Sequence, residues 1–406
     1  MKWEKVSLES ISTRIGDGLH GTPKYDDNGE FHFINGNNLS EGKILIKEDT
    51  KRISSIEYDK IKKDLSDKTV LVAINGTLGN VGLYRDEPVA LGKSACYINV
   101  NDKAEKLFVR YVLENHDFQR YAIDFATGST IKNLGLKAVR DYSFNLPPLP
   151  TQRKIASILS AYDDLLENNL KRIKLLEEKA QLHYKIEFGE FQFGDKEPQN
   201  LPNGWAIKTI GDIYWKLESG SRPKGGIDKD LKEGIASVGA ENVIGLGKYN
   251  YQSEKLITEA FFESMNRGKI ENKDILIYKD GAYIGKTTLF QDDFPHEKCC
   301  VNEHVFLLRS KNELYQNYLF FTLYQKLYFD KMQQLNANAA QPGINQESLK
   351  SLRILWPSEN VIEDFNSKVE SLMKLIFVLA KQNTKLREAR DILLPKLMNG
   401  QIEVYL

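Results

Sequence analysis

The segment Gly281-Ala282-Tyr283-Ile284-Gly285-Lys286-Thr287 comes within one residue of the phosphate-binding pattern GxxxxGK[ST]. In such a loop backbone amides cradle the phosphates and the leading position must be Gly. Here that position is Asp280, whose carboxylate would face the phosphates, and the matching turn of the first half, Gly79-Asn80, has no Lys. A glycine turn between strands accounts for the pattern, and NTP hydrolysis is not expected. His296-Glu297-Lys298-Cys299-Cys300 gathers metal-ligand types, but a zincin helix needs His at both ends of HExxH and a zinc finger needs paired spacing. A loop His beside two partly buried thiols is the expectation. His20, His32, His116, His183 and His304 share no local context, so no catalytic or metal residue is nominated.

Asn145-Leu146-Pro147-Pro148-Leu149 lacks what a base-flipping Asn-Pro-Pro-aromatic motif requires, because Leu stands between Asn and the prolines and again after them. The prolines end a strand and set the start of a helix. No Gly-rich strand-turn-helix suggests a methyl-donor or dinucleotide site, so no cofactor is expected on this chain.

Polar loop residues recur instead at matching places in two halves. The first half has His20, Thr22, Lys24 and Tyr25, then Asn37 and Asn38, Asn75 and Thr77, Lys93 and Ser94, and Thr130, Lys132 and Asn133. The second has Ser221, Arg222 and Lys224, then Glu241 and Asn242, Lys279, Tyr283 and Lys286, Asn302, and Asn338 and Gln341. Lys, Arg, Ser and Thr suit phosphate contacts; Asn, Gln, Arg and Glu suit base edges in the major groove. Each singly is also an ordinary turn residue. The duplication makes the set a candidate DNA-binding surface.

The elements that must position these loops are written twice. Trp3…Val6…Leu8 is answered by Trp205…Ile207…Ile210, and Gly16–Lys24 by 219–226. The strand and glycine turn 70–79 is answered by 275–285, and Pro147 by Pro357. The offset grows from 202 at the Trp pair to 210 at the Pro pair. One scaffold serving two specificities is the implied arrangement. Each half then enters a long helix. Ile155, Leu159, Tyr162, Leu166, Asn169, Ile173, Leu176, Ala180 and His183 recur at alternating steps of four and three, a heptad seam. At an offset of 210 the second helix supplies Phe365, Val369, Leu372, Ile376, Leu379, Asn383, Leu386, Arg390 and Leu393. Thr151, and Ser358 or Asn360, are the expected N-caps, and Leu394-Pro395 the expected end. About 35 residues at 1.5 Å each make a rod of roughly 50 Å. Asn169 and Asn383 either fix register from within the seam or face solvent at its edge.

The chain has 406 residues, with 56 Lys or Arg against 56 Asp or Glu, which excludes a protein basic all over. At 41% hydrophobic and 28% charged it reads as globular, and its length suits two or three domains. No apolar run approaches the roughly 20 residues of a membrane span. Cys96, Cys299 and Cys300 form no CxxC pair, so a soluble protein of a reducing cytoplasm is expected.

In order and duplication these pieces resemble the specificity subunit of a type I restriction-modification system. The carriers are Trp3…Val6…Leu8, Gly21-Thr22-Pro23, the two strand-glycine turns, Gly128-Ser129-Thr130-Ile131-Lys132-Asn133-Leu134, Leu146-Pro147-Pro148-Leu149-Pro150-Thr151-Gln152-Arg153-Lys154-Ile155-Ala156 and Leu393-Leu394-Pro395-Lys396-Leu397-Met398-Asn399-Gly400. The second half departs at Asn338-Ala339-Ala340-Gln341-Pro342-Gly343 and at Trp356-Pro357-Ser358, which lacks the double proline and Gln-Arg. The resemblance implies a mixed α/β fold with two target recognition domains, 1–150 and a linker plus domain over 189–357. Spacer helices at 151–188 and 358–406, the latter with the C-terminal tail, would form an antiparallel coiled coil in a pseudo-twofold repeat. It implies a non-catalytic subunit that reads a bipartite double-stranded DNA target. Methyltransferase subunits, usually two, would dock on the helices and bring S-adenosylmethionine, and restriction subunits would bring ATP and Mg. Half-sites on one face of B-DNA lie about 34 Å apart or a multiple of it, within reach of such a rod. Cationic side chains are then expected on the loops, with acidic ones such as Asp163, Asp164, Glu177 and Glu178 displaced onto the rod. A protein-protein scaffold with paired domains is the alternative, and it predicts no sequence-specific DNA binding.

Overall fold

The computed structural model describes residues 3–128, 132–194, 196–198, 200–228, 230–281, 283–335 and 343–405. It divides into two compact units, Met1–Leu165 with Leu386–Leu406, and Leu166–Lys385. Two forty-residue helices, Leu149–Phe188 and Glu359–Met398, each contribute to both units.

In the first unit a four-stranded antiparallel sheet runs in the order Ser12–Asp17, Ala95–Val100, Thr69–Ala73, Val81–Leu83. The two central strands are buried at every residue, which explains their largely apolar and β-branched composition; the exception, Asn99, accepts from Thr69 Oγ1 and donates to the Asp64 carbonyl, each at 2.7 Å. A three-stranded sheet sets Phe31–Ile34 parallel to Val89–Leu91 and antiparallel to Arg52–Ile53, and Glu4–Ser7 pairs with Ser143–Leu146.

The second unit repeats this order. Tyr214–Ser219, Val305–Ser310, Ile275–Tyr278 and Thr287–Leu289 make the larger sheet. Ile235–Val238 lies parallel to Cys299–Val301 and antiparallel to Leu256–Ile257, and Ala206–Thr209 pairs with Arg353–Trp356. Even the irregularity is duplicated. Ser12 and Arg14 pair with Val100 and Asn99, leaving Thr13 as the extra residue of an edge-strand bulge, and Tyr214 and Lys216 leave Trp215 in the same place.

The long helices pair antiparallel. In the second unit Asn169 Nδ2 donates to Asn383 Oδ1 at 3.0 Å, both side chains buried, and Lys368 reaches Glu187 at 2.8 Å. In the first unit Asp163 meets Arg390 at 2.8 Å. The asparagines therefore belong inside the seam. Ile155, Leu159, Leu166, Ile173, Phe365, Val369, Leu372, Ile376 and Leu379 are buried with them, while Tyr162, Leu176 and Leu386 are half-buried. The seam continues through Ala180 into Tyr184 and Phe188 rather than His183. Met373, Phe377 and Ala380 are buried as well, because this stretch also packs against the sheets and short helices of its own unit.

Two boundaries differ from those expected. The first helix begins at Leu149, so Thr151 lies within its first turn rather than capping it, and Pro150 is tolerated where no N–H is needed. The second begins at Glu359, with Ser358 immediately before it and Asn360 inside. It runs past Pro395 to Met398, since the proline lies close enough to the end to cost a single backbone bond.

Polar contacts fasten each unit to its helical segments. Arg110, 5% exposed, binds Glu114 at 3.0 Å and Asp163 at 2.7 Å, and Tyr111 donates to the same Asp163 at 2.8 Å. Burial opposes the guanidinium charge, and the two carboxylates outweigh it, so the group titrates above its ordinary range. In the second unit Tyr324 donates to Glu177 at 2.6 Å and Lys273 holds Glu370 at 3.1 Å. Gln152, within the Pro-Pro segment, explains that motif: its amide donates to the Lys103 and Pro147 carbonyls and accepts from Glu105 N. At the matching start in the second unit Tyr315 Oη satisfies the Pro357 carbonyl at 2.9 Å and stacks on Trp356, so no Gln is required there. Among the described residues no helix is long and apolar enough to cross a membrane.

Replacing Asn169 alone by Leu leaves the Asn383 amide buried without its partner. Chemical denaturation of this variant should show a loss of about 1–3 kcal/mol, with Asn169→Leu/Asn383→Leu recovering most of it. Simple additivity of the two single effects would mean the pair is uncoupled.

Candidate nucleic-acid interface

Loops converge where the parallel strands Phe31–Ile34 and Val89–Leu91 end, and at the turn after Thr69–Ala73. Backbone hydrogen bonds fix this junction identically in the two units. Gly92 N donates to Ile34 O, and Asn302 N to Val238 O. Ile74 N donates to Ser94 O, and Lys279 N to His304 O. Gly79 N closes onto Ala73 O and Gly285 N onto Tyr278 O, each at 2.8 Å, with both glycines at positive φ. Leu134 N donates to Ile74 O and Ile344 N to Lys279 O, so a later loop is stitched to the same turn in each copy. Isolated bridges complete the match, Asn75 with Asn133 and Asp280 with Gly343. A Cβ on Gly18 would run into the Leu91 carbonyl, and one on Gly220 into the Val301 carbonyl.

This equivalence assigns side chains pair by pair. Asn75 stands where the second unit has Asp280, Asn80 where it has Lys286, Lys93 where it has Glu303, and Ser94 where it has His304. Asn35 and Gly92 of the first unit are exchanged for Gly239 and Asn302 of the second. Ser94 Oγ accepts from Gly36 N and donates to Asn35 Oδ1, so it braces the junction from within.

The structure brings Asn75, Lys93, Ser94, Lys132 and Asn133 to this junction in the first unit, with Thr77 on the adjoining turn. Thr77, Lys93 and Lys132 are exposed. His20 lies just past Leu19, which bridges to Gly92, and its ring meets Asp17 at 2.6 Å. Thr22 is exposed further along the same loop. Lys24 and Tyr25 are placed elsewhere. Lys24 N binds Glu57, and Tyr25 bridges to Ile53 and packs edge-on against Phe33, at the opposite end of the short sheet.

Asn38 and Asn242 need correction as candidates for DNA contact. Asn38 accepts from Asn35 N and donates to Leu45 O; Asn242 accepts from Gly239 N and donates to Asn250 O. Both are buried and hold the short turns after their strands. Asn302 is also buried and accepts from His304 N. Asn37 is exposed, with its carbonyl held by Lys47. Thr130, Asn338 and Gln341 lie outside the described residues.

In the second unit Arg222 pairs with Glu303, Glu303 lies 3.4 Å from His304, and His304 Nδ1 lies 2.9 Å from Asp280. Ser221 precedes Arg222 and Lys224 is exposed beyond it. Lys279 lies over the Phe306 ring, and Lys286 stacks on the exposed Tyr283 at 4.0 Å. Burial works to raise the Glu241 carboxyl, but the hydrogen bond from Lys255 and the nearby charges of Lys255 and His304 outweigh it and leave the group below its ordinary range. Asp280 and His304 were weighed in the sequence only for phosphate and metal chemistry, and Glu303 not at all, so none of the three was a candidate for this surface. The available signal was Asp280 itself, which disqualifies a phosphate loop. Cys299 and Cys300 are fully buried, burial pushes both thiols up, and His296 binds Glu254 at 2.6 Å. Among the described residues no group of His, Cys, Asp and Glu is arranged to hold a metal.

The model of the type I restriction modification DNA specificity domain matches this chain twice, over residues 1–178 and 202–372. Among curated relatives, the type I restriction enzyme MjaIX specificity subunit of Methanocaldococcus jannaschii is 25% identical over 345 residues, covering 83% of this chain and 78% of the relative. The putative MjaX specificity subunit of the same organism is 24% identical over 99% of this chain and 94% of its own length. A crystal structure of the type I restriction-modification S subunit from M. genitalium shares the fold, with a TM-score of 0.58 at 20% identity over 98% of this chain and 96% of that one.

Because the Gly18 and Gly220 contacts are with backbone, Gly18→Ala and Gly220→Ala should each lower stability by about 1–3 kcal/mol in thermal or denaturant unfolding. Unchanged stability in both would show that this close approach does not constrain the loops.

Proposed function

The chain belongs to the type I restriction-modification DNA specificity family and is a DNA sequence-recognition subunit; from that premise we propose that it reads a bipartite target, one half-site with each of its two repeated modules. The observation that carries this reading is the junction just described, in which one hydrogen-bonded backbone frame presents different side chains in its two copies. A shared frame with changed polar groups is what two half-sites of different sequence require, since base identity is read by donor and acceptor placement. Exposed Lys93, Lys132, Lys224 and Lys286 would add phosphate contacts that set orientation.

The chain would perform no chemistry itself. Methyltransferase subunits, two in number, would dock on the long helices and supply S-adenosylmethionine, and restriction subunits would supply ATP and Mg chemistry, all in the cytoplasm. Docking is supported by Leu175, Leu182 and Ile186, exposed at 64%, 55% and 69%. Steps of seven and four place them on one helical face, away from the buried seam. The paired helices would set the length of the unread spacer between half-sites.

Single-molecule methylome sequencing of cells with and without the gene should report a split motif that depends on it. Exchanging residues 1–146 for those of a relative should then change one half of the motif only; a change in both halves, or in neither, would refute the modular reading. Removing one heptad from each long helix should shorten the spacer, and an unaltered spacer would show that the helices do not set it.

A further inference from the structure

The Arg222, Glu303, His304 and Asp280 network alternates nitrogen-bearing side chains and carboxylates across three separate segments of the second module: the loop after Tyr214–Ser219, the residues after Cys299–Val301, and the turn after Ile275–Tyr278. Its side chains remain accessible, Arg222 at 54% and Glu303 at 30%. Both the Arg222 and the His304 contacts fall on Glu303 Oε1, so that carboxylate is gripped from two sides while Oε2 is its other acceptor. Asp280 holds the far nitrogen of the His304 ring.

A phosphate is a poor partner for this surface. Glu303, Asp280 and the nearby Glu241 present carboxylates that would repel it. The matching positions of the first module, Lys93, Ser94 and Asn75, carry no carboxylate at all. The surface instead offers a fixed donor group beside a fixed acceptor group. In the major groove a G·C pair presents guanine N7 and O6 as adjacent acceptors followed by the cytosine N4 amino donor, whereas an A·T pair alternates acceptor, donor and acceptor. An Arg and a Glu held side by side complement the first order and not the second.

Resting on the DNA-reading function above, we propose that Arg222 and Glu303 together read a G·C pair in the second half-site. Arg222 donates to guanine N7 and O6, and Glu303 accepts from cytosine N4. His304 and Asp280 are positioning residues that hold the Glu303 carboxylate in place.

The test uses the full chain assembled with its methyltransferase subunits, methylating a duplex DNA library randomised in sequence, followed by sequencing of the methylated molecules. The wild-type complex should require G·C at one position of one half-site. Arg222→Ala and Glu303→Ala should each relax that requirement by about tenfold or more, leaving the other half-site and the spacer as they were. The intact preference at the first half-site serves as the control for folding and assembly. A uniform fall in methylation of all sequences, or an unchanged motif, would overturn the assignment. If the wild-type complex shows no split sequence preference, the bipartite reading itself fails, and this assignment with it.

Discussion

The hydrogen bond between Asn169 and Asn383 constrains more of the structure than any other single contact. Apolar seam residues pack nearly as well when one helix slides past the other by a heptad, so Leu, Ile and Val alone define register weakly. Two facing amides inside that seam do not tolerate the slide, because each would then be buried without its partner. Register in turn decides which helical positions meet the sheets. Glu177 can accept from Tyr324, and Lys368 can reach Glu187, only with the helices paired as they are. A displacement of one heptad, about 10 Å along the axis, would break both.

A second constraint operates at the strand ends. Hydrogen bonds between main-chain atoms hold the junction without regard to side-chain identity, which leaves side chains there free to diverge. The exchange of Asn35 and Gly92 for Gly239 and Asn302 shows the limit of that freedom. A Cβ on Gly92 would press on the Asn35 amide, and one on Gly239 would press on the Glu241 carboxylate, so each copy keeps one of the two facing positions bare for its own reason. The second copy fills the opposite one. Lys93 and Glu303, by contrast, lie one residue further out, and there the two copies carry opposite charges, with Glu303 held by Arg222 and His304.

The same distinction explains which features were legible in the sequence. The helices were, since a heptad pattern is a local property repeated over forty residues and is strengthened by its recurrence at an offset of 210. The duplication was legible for the same reason, while the mixed α/β class came from the family resemblance. The end of the second helix was misread at Pro395, because a proline one turn from the C-terminus removes only its own donation and the last turn closes beyond it, with Asn399 N donating to Pro395 O. Individual loop residues were the least legible. Asn37 and Asn38 are adjacent and chemically identical, yet one is exposed and the other buried against Leu45 O, a partner seven residues away. Asp280 was weighed only as a flaw in a phosphate loop, since its partner His304 is twenty-four residues distant. Pairing of that kind is decided by the sheet, not by local spacing.

Charge follows from these contacts. A balanced total of 56 against 56 is compatible with acidic helices and basic loops, but the contacts do not divide that way. Asp163 is consumed by Arg110, Arg390 and Tyr111, and Glu177 by Tyr324, so these helical carboxylates act inside the protein rather than as a solvated acidic face. Asp164 and Glu178 alone of the four are exposed. The loops for their part carry both signs, with Glu303 and Asp280 among Arg222, Lys279 and Lys286. Such a surface would attract DNA weakly at long range, because opposite charges within a Debye length cancel at a distance. In the proposed complex the cancellation would disappear at contact, where each group would be met individually by the donor or acceptor opposite it. On that proposal mixed charge on these loops would reduce indiscriminate affinity while preserving discrimination, as suits a subunit whose grip on the backbone would be supplied by proteins bound beside it.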